Sequence, residues 1–240
     1  MQIELFTQVP SWFFSSLGDN LHFHELDCDL GLVQSDALRV NYDATLADLA
    51  DRLPFDPGEI RRLAQRLRRL HCQSVLCDIA PLGLAAAKLA RLPSVLVENF
   101  TWDWIYAGLA VRTPALSKYA RLLRPIFQHA DLHIQTQPIC EVVQTAHQIG
   151  PVARAFRSSR EETRSILGLK QSTPMVFISM GGTRTGFPFT EQLKRRFSRI
   201  HFVISGASNT VHKDQNVTFL PVDSSLHHPD LVRAADLVIG

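Results

Sequence analysis

Ser74-Val-Leu-Cys-Asp-Ile-Ala-Pro-Leu-Gly-Leu-Ala-Ala-Ala-Lys-Leu-Ala-Arg-Leu-Pro-Ser-Val-Leu-Val97 decides the fold. Residues 74–77 form a short apolar run that reads as a buried strand. Residues 82–91 are rich in Ala and Leu and predict a helix. Residues 94–97 are a second apolar run. A strand, a helix and another strand with so little linker is the pattern of a βαβ unit in a parallel sheet.

The same alternation extends in both directions. Upstream, residues 3–6 and 21–26 read as strands. Residues 56–70 read as a helix: Ile60, Leu63, Ala64, Leu67 and Leu70 recur at steps of three and four, and Pro57 suits the first turn. Downstream, residues 102–109 and 117–127 predict helices and 131–134 a strand. After the loop at Gly150-Pro151 a second series begins. Ser159 followed by Glu162 is a capping-box pattern, and Gly168 suits the end of that helix. Strands are expected at 175–179, 200–204, 217–220 and 237–239, with helices at 189–197 and 226–235. The fold class is therefore α/β, with two parallel-sheet domains at 1–150 and 151–240. The chain starts in a strand and stops just after one, so both ends read as cut and the second domain as incomplete.

Composition narrows the function. The 240 residues are 45% hydrophobic and 20% charged, which is globular. Net charge is only +2, so bulk charge points to no nucleic-acid partner. The longest apolar stretch, residues 81–97, is broken by Lys88 and Arg91, short of the roughly 20 apolar residues a membrane span needs. The N-terminus has no signal-peptide pattern. Cys28, Cys72, Cys77 and Cys140 are sparse and fit no zinc spacing, so the expectation is reduced thiols in a cytoplasmic protein without metal. His22, His24, His227 and His228 read as surface or turn residues. Arg61, Arg62, Arg66, Arg68 and Arg69 lie on one helix face, which reads as solvated or as a contact for an anionic membrane surface.

Three segments carry candidate chemistry. Residues 175–183 run from a strand into Gly181-Gly182-Thr183, where backbone amides ahead of a helix suit a diphosphate. The same residues would also make a tight turn. Asp78 is expected at the carboxyl edge of the first sheet, either orienting a sugar hydroxyl or, the favoured reading, capping the helix that follows. In Val97-Glu-Asn99-Phe-Thr-Trp102-Asp103-Trp-Ile-Tyr106 aromatics, carboxylates, an amide and a hydroxyl follow a strand. Aromatic faces stack on sugar rings, and Asn and Asp fix hydroxyls. The segment serves equally as an aromatic mini-core with Thr101 as helix cap.

These segments together resemble a known family. Cys77-Asp78-Ile-Ala-Pro81, Ala85-Ala-Ala-Lys-Leu-Ala90 and Pro93-Ser-Val-Leu-Val-Glu-Asn99-Phe-Thr-Trp102-Asp103-Trp-Ile-Tyr106 are similar to bacterial GT-B glycosyltransferase-like proteins. They are similar too to the non-kinase domain fused to L-arabinokinases. Leu32-Val-Gln-Ser-Asp-Ala-Leu38, Arg160-Glu-Glu-Thr-Arg164, Leu167-Gly168, Ser179-Met-Gly181-Gly182 and Ala235-Asp236-Leu-Val-Ile-Gly240 extend the resemblance along nearly the whole chain.

The resemblance implies two Rossmann-like domains of GT-B type. The first holds the acceptor, at Asp78, Asn99, Trp102 and Asp103. The second holds a nucleotide-sugar diphosphate at Gly181, Gly182 and Thr183. Relatives begin with a Gly-His-Gly-x-Gly-His loop carrying a catalytic His, and continue past the Ala-Asp-Leu-Val-Ile-Gly motif into a donor loop with a Glu. Neither element is present here, so the first domain reads as lacking its opening βα unit and no catalytic residue is assigned. No cofactor is implied. The activities left open are sugar transfer from a nucleotide-sugar, binding of sugar or nucleotide by an inactive truncated relative, and nucleotide-sugar epimerisation. Homo-oligomerisation is open as well.

Overall fold

A computed structural model describes residues 2–14, 18, 20–36, 39–180 and 187–240. The chain forms two compact units, one of Met1–Val33 with Val40–Val152 and one of Gln34–Arg39 with Ala153–Gly240. Both are built on parallel α/β sheets of the Rossmann-like kind.

Along the chain come β1 (Ile3–Thr7), β2 (Leu21–Glu25), β3 (Gln34–Asp36), β4 (Arg39–Val40), α1 (Tyr42–Arg52), α2 (Pro57–Arg69) and β5 (Val75–Asp78). These are followed by α3 (Pro81–Ala90), β6 (Ser94–Glu98), α4 (Trp102–Leu109), α5 (Ser117–Gln128), β7 (Leu132–Thr136) and β8 (His147–Ile149). The rest are α6 (Arg160–Ile166), β9 (Met175–Ser179), α7 (Thr190–Arg196), β10 (His201–Ser205), β11 (His212–Asp214), β12 (Val217–Leu220), α8 (His228–Ala234) and β13 (Leu237–Ile239).

The first unit centres on the parallel sheet β5-β6-β7-β8. Its deciding stretch folds as read: β5 passes through α3 to β6, and Leu82, Leu84, Ala86 and Leu96 are sealed in one apolar core. Gly83 explains how α3 lies so close to β5, because a Cβ there would sit 2.7 Å from Cys77 Sγ. Ser94 and Asp131 pin the starts of β6 and β7, with Asp131 Oδ2 accepting from the Ser94 amide at 2.8 Å and its hydroxyl at 2.7 Å. α2 begins on Pro57 with Asp56 accepting from the Gly58 and Glu59 amides, and it buries Leu63, Ala64 and Leu67. α1, which sequence reading left unassigned, is capped by Asn41 and buries Thr45 and Leu49.

β1 and β2 pair in parallel as a separate two-stranded ladder. Phe6 and Leu26 pack against the same core, and Arg66 of α2 ties the ladder down by donating to His24 at 2.7 Å. His22 and His24 lie on β2 and bond to Glu4; His22 is exposed, in keeping with the surface reading, while His24 is half-buried.

The second unit holds the sheet β11-β12-β10-β9-β13, parallel except for the β11-β12 hairpin. Alternation along β9 sends Met175 and Phe177 to one apolar layer with Leu231 and Ala234, and Val176 and Ile178 to the other with Phe187 and Phe202. Both faces of β9 are thus covered, as a parallel sheet requires, whereas the edge strand β13 leaves Leu237, Val238 and Ile239 exposed. The capping box at Ser159 and Glu162 is present, and Gly168 has φ +66° just past α6.

Arg164 is fully buried and donates to the carbonyls of Ala234 (2.7 Å), Lys170 (3.4 Å) and Thr173. Asp236 locks the start of β9, accepting from the Met175 amide at 2.7 Å and from Arg160. That amide and the nearby guanidinium groups hold its carboxyl below the usual range.

Candidate functional site

In a parallel α/β sheet the carboxyl ends of the strands all open at one edge, where ligands collect. At that edge of the first unit β5 ends on Asp78 and β6 on Glu98, followed by Asn99. Asp78 does not cap α3. The cap position is Ala80 and carries no side-chain hydrogen bond, while Pro81 takes the first helical position, where no amide needs a partner. The Asp78 carboxyl accepts no hydrogen bond from the described residues, and partial desolvation raises its pKa.

Asp29 lies close enough for its charge to interact with that of Asp78. Desolvation raises the Asp29 carboxyl and the Asp78 charge adds to this, against the opposing hydrogen bonds from Trp102 and the Leu30 amide. The Trp102 indole donates to Asp29 Oδ1 at 3.0 Å. Its ring stacks on Tyr106 at 5.7 Å between centroids, and the Tyr106 hydroxyl donates to Gly31 O at 2.9 Å. Arg52 holds this loop from below by donating to Asp27 Oδ1 at 2.8 Å and to the Asp29 carbonyl. Cys28 and Cys77 carry thiols raised by burial to about 11 and about 12, so neither is a thiolate near neutrality.

Asp103 belongs to a different neighbourhood from Trp102. One helical step on, it is buried on the side of α4 that meets α5, where Arg124 Nε donates to its Oδ2 at 3.2 Å. Here the first unit has a cleft of ≈ 520 Å³. Its lining includes Asp103, Glu98, Trp104, Arg124 and His133. Glu98 Oε1 accepts from His133 Nε2 at 2.8 Å and from Gln135 Nε2 at 2.6 Å. Gln135 is itself sealed, donating to Glu141 O and accepting from the Val143 amide, both at 2.8 Å. The β6-β7 register sets Glu98 opposite Gln135.

The four residues expected on the acceptor side therefore divide. Asp78 and Trp102 gather with Asp29 at the sheet edge, and Asp103 lines the cleft. Asn99 joins β6 to the loop after β7 through its carbonyl, which accepts from the Cys140 amide at 2.9 Å, and its side chain bonds to no described residue. Asp29, Glu98, Arg124, His133 and Gln135 escaped sequence reading. Only the Glu98 side chain fell in a flagged segment, and its partners come from a strand more than thirty residues away.

Gly181, Gly182 and Thr183 lie outside the described residues. The residues next to them are described. β9 ends on Ser179, whose Oγ is 3.1 Å from His228 Nε2. The pKa of His228 is lowered by partial burial and by the neighbouring His227. Gly240 approaches the same strand end so closely that a Cβ on it would lie 2.9 Å from Ser179 O.

The arginine face of α2 is partly used internally: Arg62 pairs with Asp56 at 3.5 Å, Arg66 lies over Phe6, and Arg68 donates to Leu89 O and Ala90 O. Arg61 shares a groove with Arg68, Lys88 and Arg91 that no acid lines among the described residues. No helix among the described residues is long and apolar enough to cross a membrane.

No family model matches the chain. L-arabinokinase of Arabidopsis thaliana is 26% identical over 247 residues, spanning 99% of this chain and 23% of that protein. The chain thus corresponds to less than a quarter of that relative's length. Among solved structures, MurG of Acinetobacter baumannii superposes with TM-score 0.43 at 10% identity, covering 95% of this chain and 60% of the other. LpCGTa in complex with UDP superposes with TM-score 0.47 at 12% identity, covering 100% and 63%. The similarity to L-arabinokinase accords with the family resemblance carried by the sequence motifs.

Proposed function

We propose that this chain is glycosyltransferase-like, taking a nucleotide-sugar donor on its second unit and a sugar-type acceptor on its first. The observation that carries the reading is the sequence similarity to L-arabinokinase, a protein named for a sugar substrate, along 99% of the chain. The sheet edge of the first unit supports it with chemistry suited to hydroxyls: the Asp29 carboxyl bonded to the Trp102 indole, and the Asp78 carboxyl, whose charge acts on Asp29. On the donor side the backbone amides of Gly181, Gly182 and Thr183 hold the diphosphate, close in sequence to Ser179.

In transfer, a base takes the proton of an acceptor hydroxyl, the oxygen attacks the anomeric carbon, and the nucleoside diphosphate departs. Amides aimed at the diphosphate stabilise the charge that develops on it. Asp78 is the group at the acceptor edge suited to act as base. Its carboxyl is free of protein partners among the described residues, and desolvation raises its proton affinity. Asp29 and Trp102 shape the surface on which the acceptor rests.

The test is release of nucleoside diphosphate from a panel of nucleotide-sugars, with and without simple sugar acceptors. Asp78→Asn keeps the size and removes the base, and it is expected to lower turnover by about 10²-fold or more. Equal turnover in Asp78→Asn would remove Asp78 from the mechanism. Donor binding without release from any member of the panel would leave a binding protein rather than an enzyme.

A further inference from the structure

The cleft beside α4 and α5 has hydrogen-bonding capacity that the described residues do not use. Glu98 is only 4% exposed, and its Oε1 takes both hydrogen bonds, from His133 and Gln135. Oε2 accepts none from the described residues. Nor is it sealed from solvent, so it opens on the cleft that Glu98 lines. Asp103 is 6% exposed and repeats the pattern: Oδ2 takes Arg124, and Oδ1 takes nothing from the described residues. A buried carboxylate oxygen without a donor is costly, and a dry pocket would not hold two of them. Solvent reaches both oxygens, and hydroxyls of a bound ligand can take the place of that water as donors.

The other walls narrow what supplies them. Trp104 and Phe100 line the same space, and Trp104 enters no ring pair among the described residues. With His133 Nε2 bonded to Glu98, its Nδ1 has no partner among the described residues. At the mouth, the half-exposed Arg124 uses only Nε, leaving its terminal NH₂ groups to donate. Acceptors at the base, donors at the rim and aromatic walls between them suit a ring whose edge carries hydroxyls and whose face is apolar C–H. A volume of ≈ 520 Å³ lies within the range of small-molecule sites.

We propose that this cleft binds a neutral sugar, held by Glu98 and Asp103 as acceptors, Arg124 as donor and Trp104 as the stacking surface. The site stands on its own geometry and does not rest on the transfer reading. Asp29, Asp78 and Trp102 are not among the residues that line it, and Phe100 of its wall packs edge-on against Trp102 at 5.5 Å between centroids.

The experiment is ligand-observed magnetic resonance on the full chain with methyl glycosides of pentoses and hexoses, and with ethanolamine as an ammonium probe. Uridine diphosphate is titrated into the same samples. Ring-proton saturation from a glycoside is expected, with affinity weakened about tenfold or more by Trp104→Ala and by Glu98→Gln. Circular dichroism verifies that each variant is folded, and Trp104→Phe, which keeps an aromatic face, is expected to retain most of the binding.

Unchanged glycoside binding in folded Trp104→Ala and Glu98→Gln would overturn the site. So would tighter binding of ethanolamine than of any glycoside, or no glycoside binding at about 10 mM. If uridine diphosphate binds while the glycoside result fails, the cleft assignment falls and the transfer reading stands. Cleft-dependent glycoside binding without any uridine diphosphate binding would leave the sugar site and remove the donor side.

Discussion

His201 makes the second unit sensitive to acid by an amount that can be worked out. It opens β10, is 4% exposed, and bonds to Thr218 Oγ1 at 2.8 Å. Burial, with Lys213 and Arg164 nearby, lowers its pKa from 6.5 to about 4. The folded unit therefore keeps the ring neutral where the unfolded chain binds a proton. Stability is full above pH 6.5, falls as pH drops towards 4, and levels off below that. Between pH 8 and pH 5 the linkage cost of this one group comes to about 2 kcal/mol. His201→Asn removes the titration, so its loss of stability over the same interval should be smaller by about that amount, whatever the substitution costs at pH 8. The chain's three Trp and three Tyr all precede residue 120, so tryptophan fluorescence does not report on the second unit. Urea unfolding followed on the methyl resonances of Val203 and Ile204 does. An equal drop between pH 8 and pH 5 in His201→Asn and the parent chain would refute the reasoning.

Arg164→Ala strands the carbonyls of Ala234, Lys170 and Thr173 in the interior and should destabilise the second unit by about 3 kcal/mol, read from the same methyl signals. Gly83→Ala pushes a methyl group into Cys77 Sγ and should lower the stability of the first unit by about 1–3 kcal/mol in urea unfolding followed by fluorescence. Adding Cys77→Ala should restore part of that loss, since it removes the atom that is struck; no recovery in the double variant would contradict the packing described.

Much of the scaffold was legible because the signals for it are local. The βαβ reading of residues 74–97, the Asp56-Pro57 start of α2 and the capping box at Ser159 depend on residues within a turn or two of one another. α1 escaped although Asn41 caps it, because Asp43, Asp48 and Asp51 dilute its apolar stripe. The separate β1-β2 ladder was not legible, since a short apolar run does not say which strand it will pair with. Asp78 misled because a carboxylate before a helix normally reads as a cap, and here Ala80 and Pro81 start the helix without one. The polar groupings were hidden for one reason: they join residues far apart in sequence. Trp102 meets Asp29 across 73 positions, and His133 meets Glu98 across 35. Glu98 stands in the flagged segment after residues 94–97 with nothing nearby in sequence to name its donors, which the register with β7 supplies.

The central claim is a nucleotide-sugar site, and titrating uridine and uridine diphosphate into the chain by calorimetry tests it most directly. The diphosphate is expected to bind and the nucleoside not, with affinity near the millimolar range, about −4 kcal/mol. Gly182→Val is expected to abolish the difference, because a β-branched side chain obstructs a close approach of phosphate to the backbone. Equal binding of the two ligands, or a Gly182→Val variant that binds uridine diphosphate as the parent does, would contradict it.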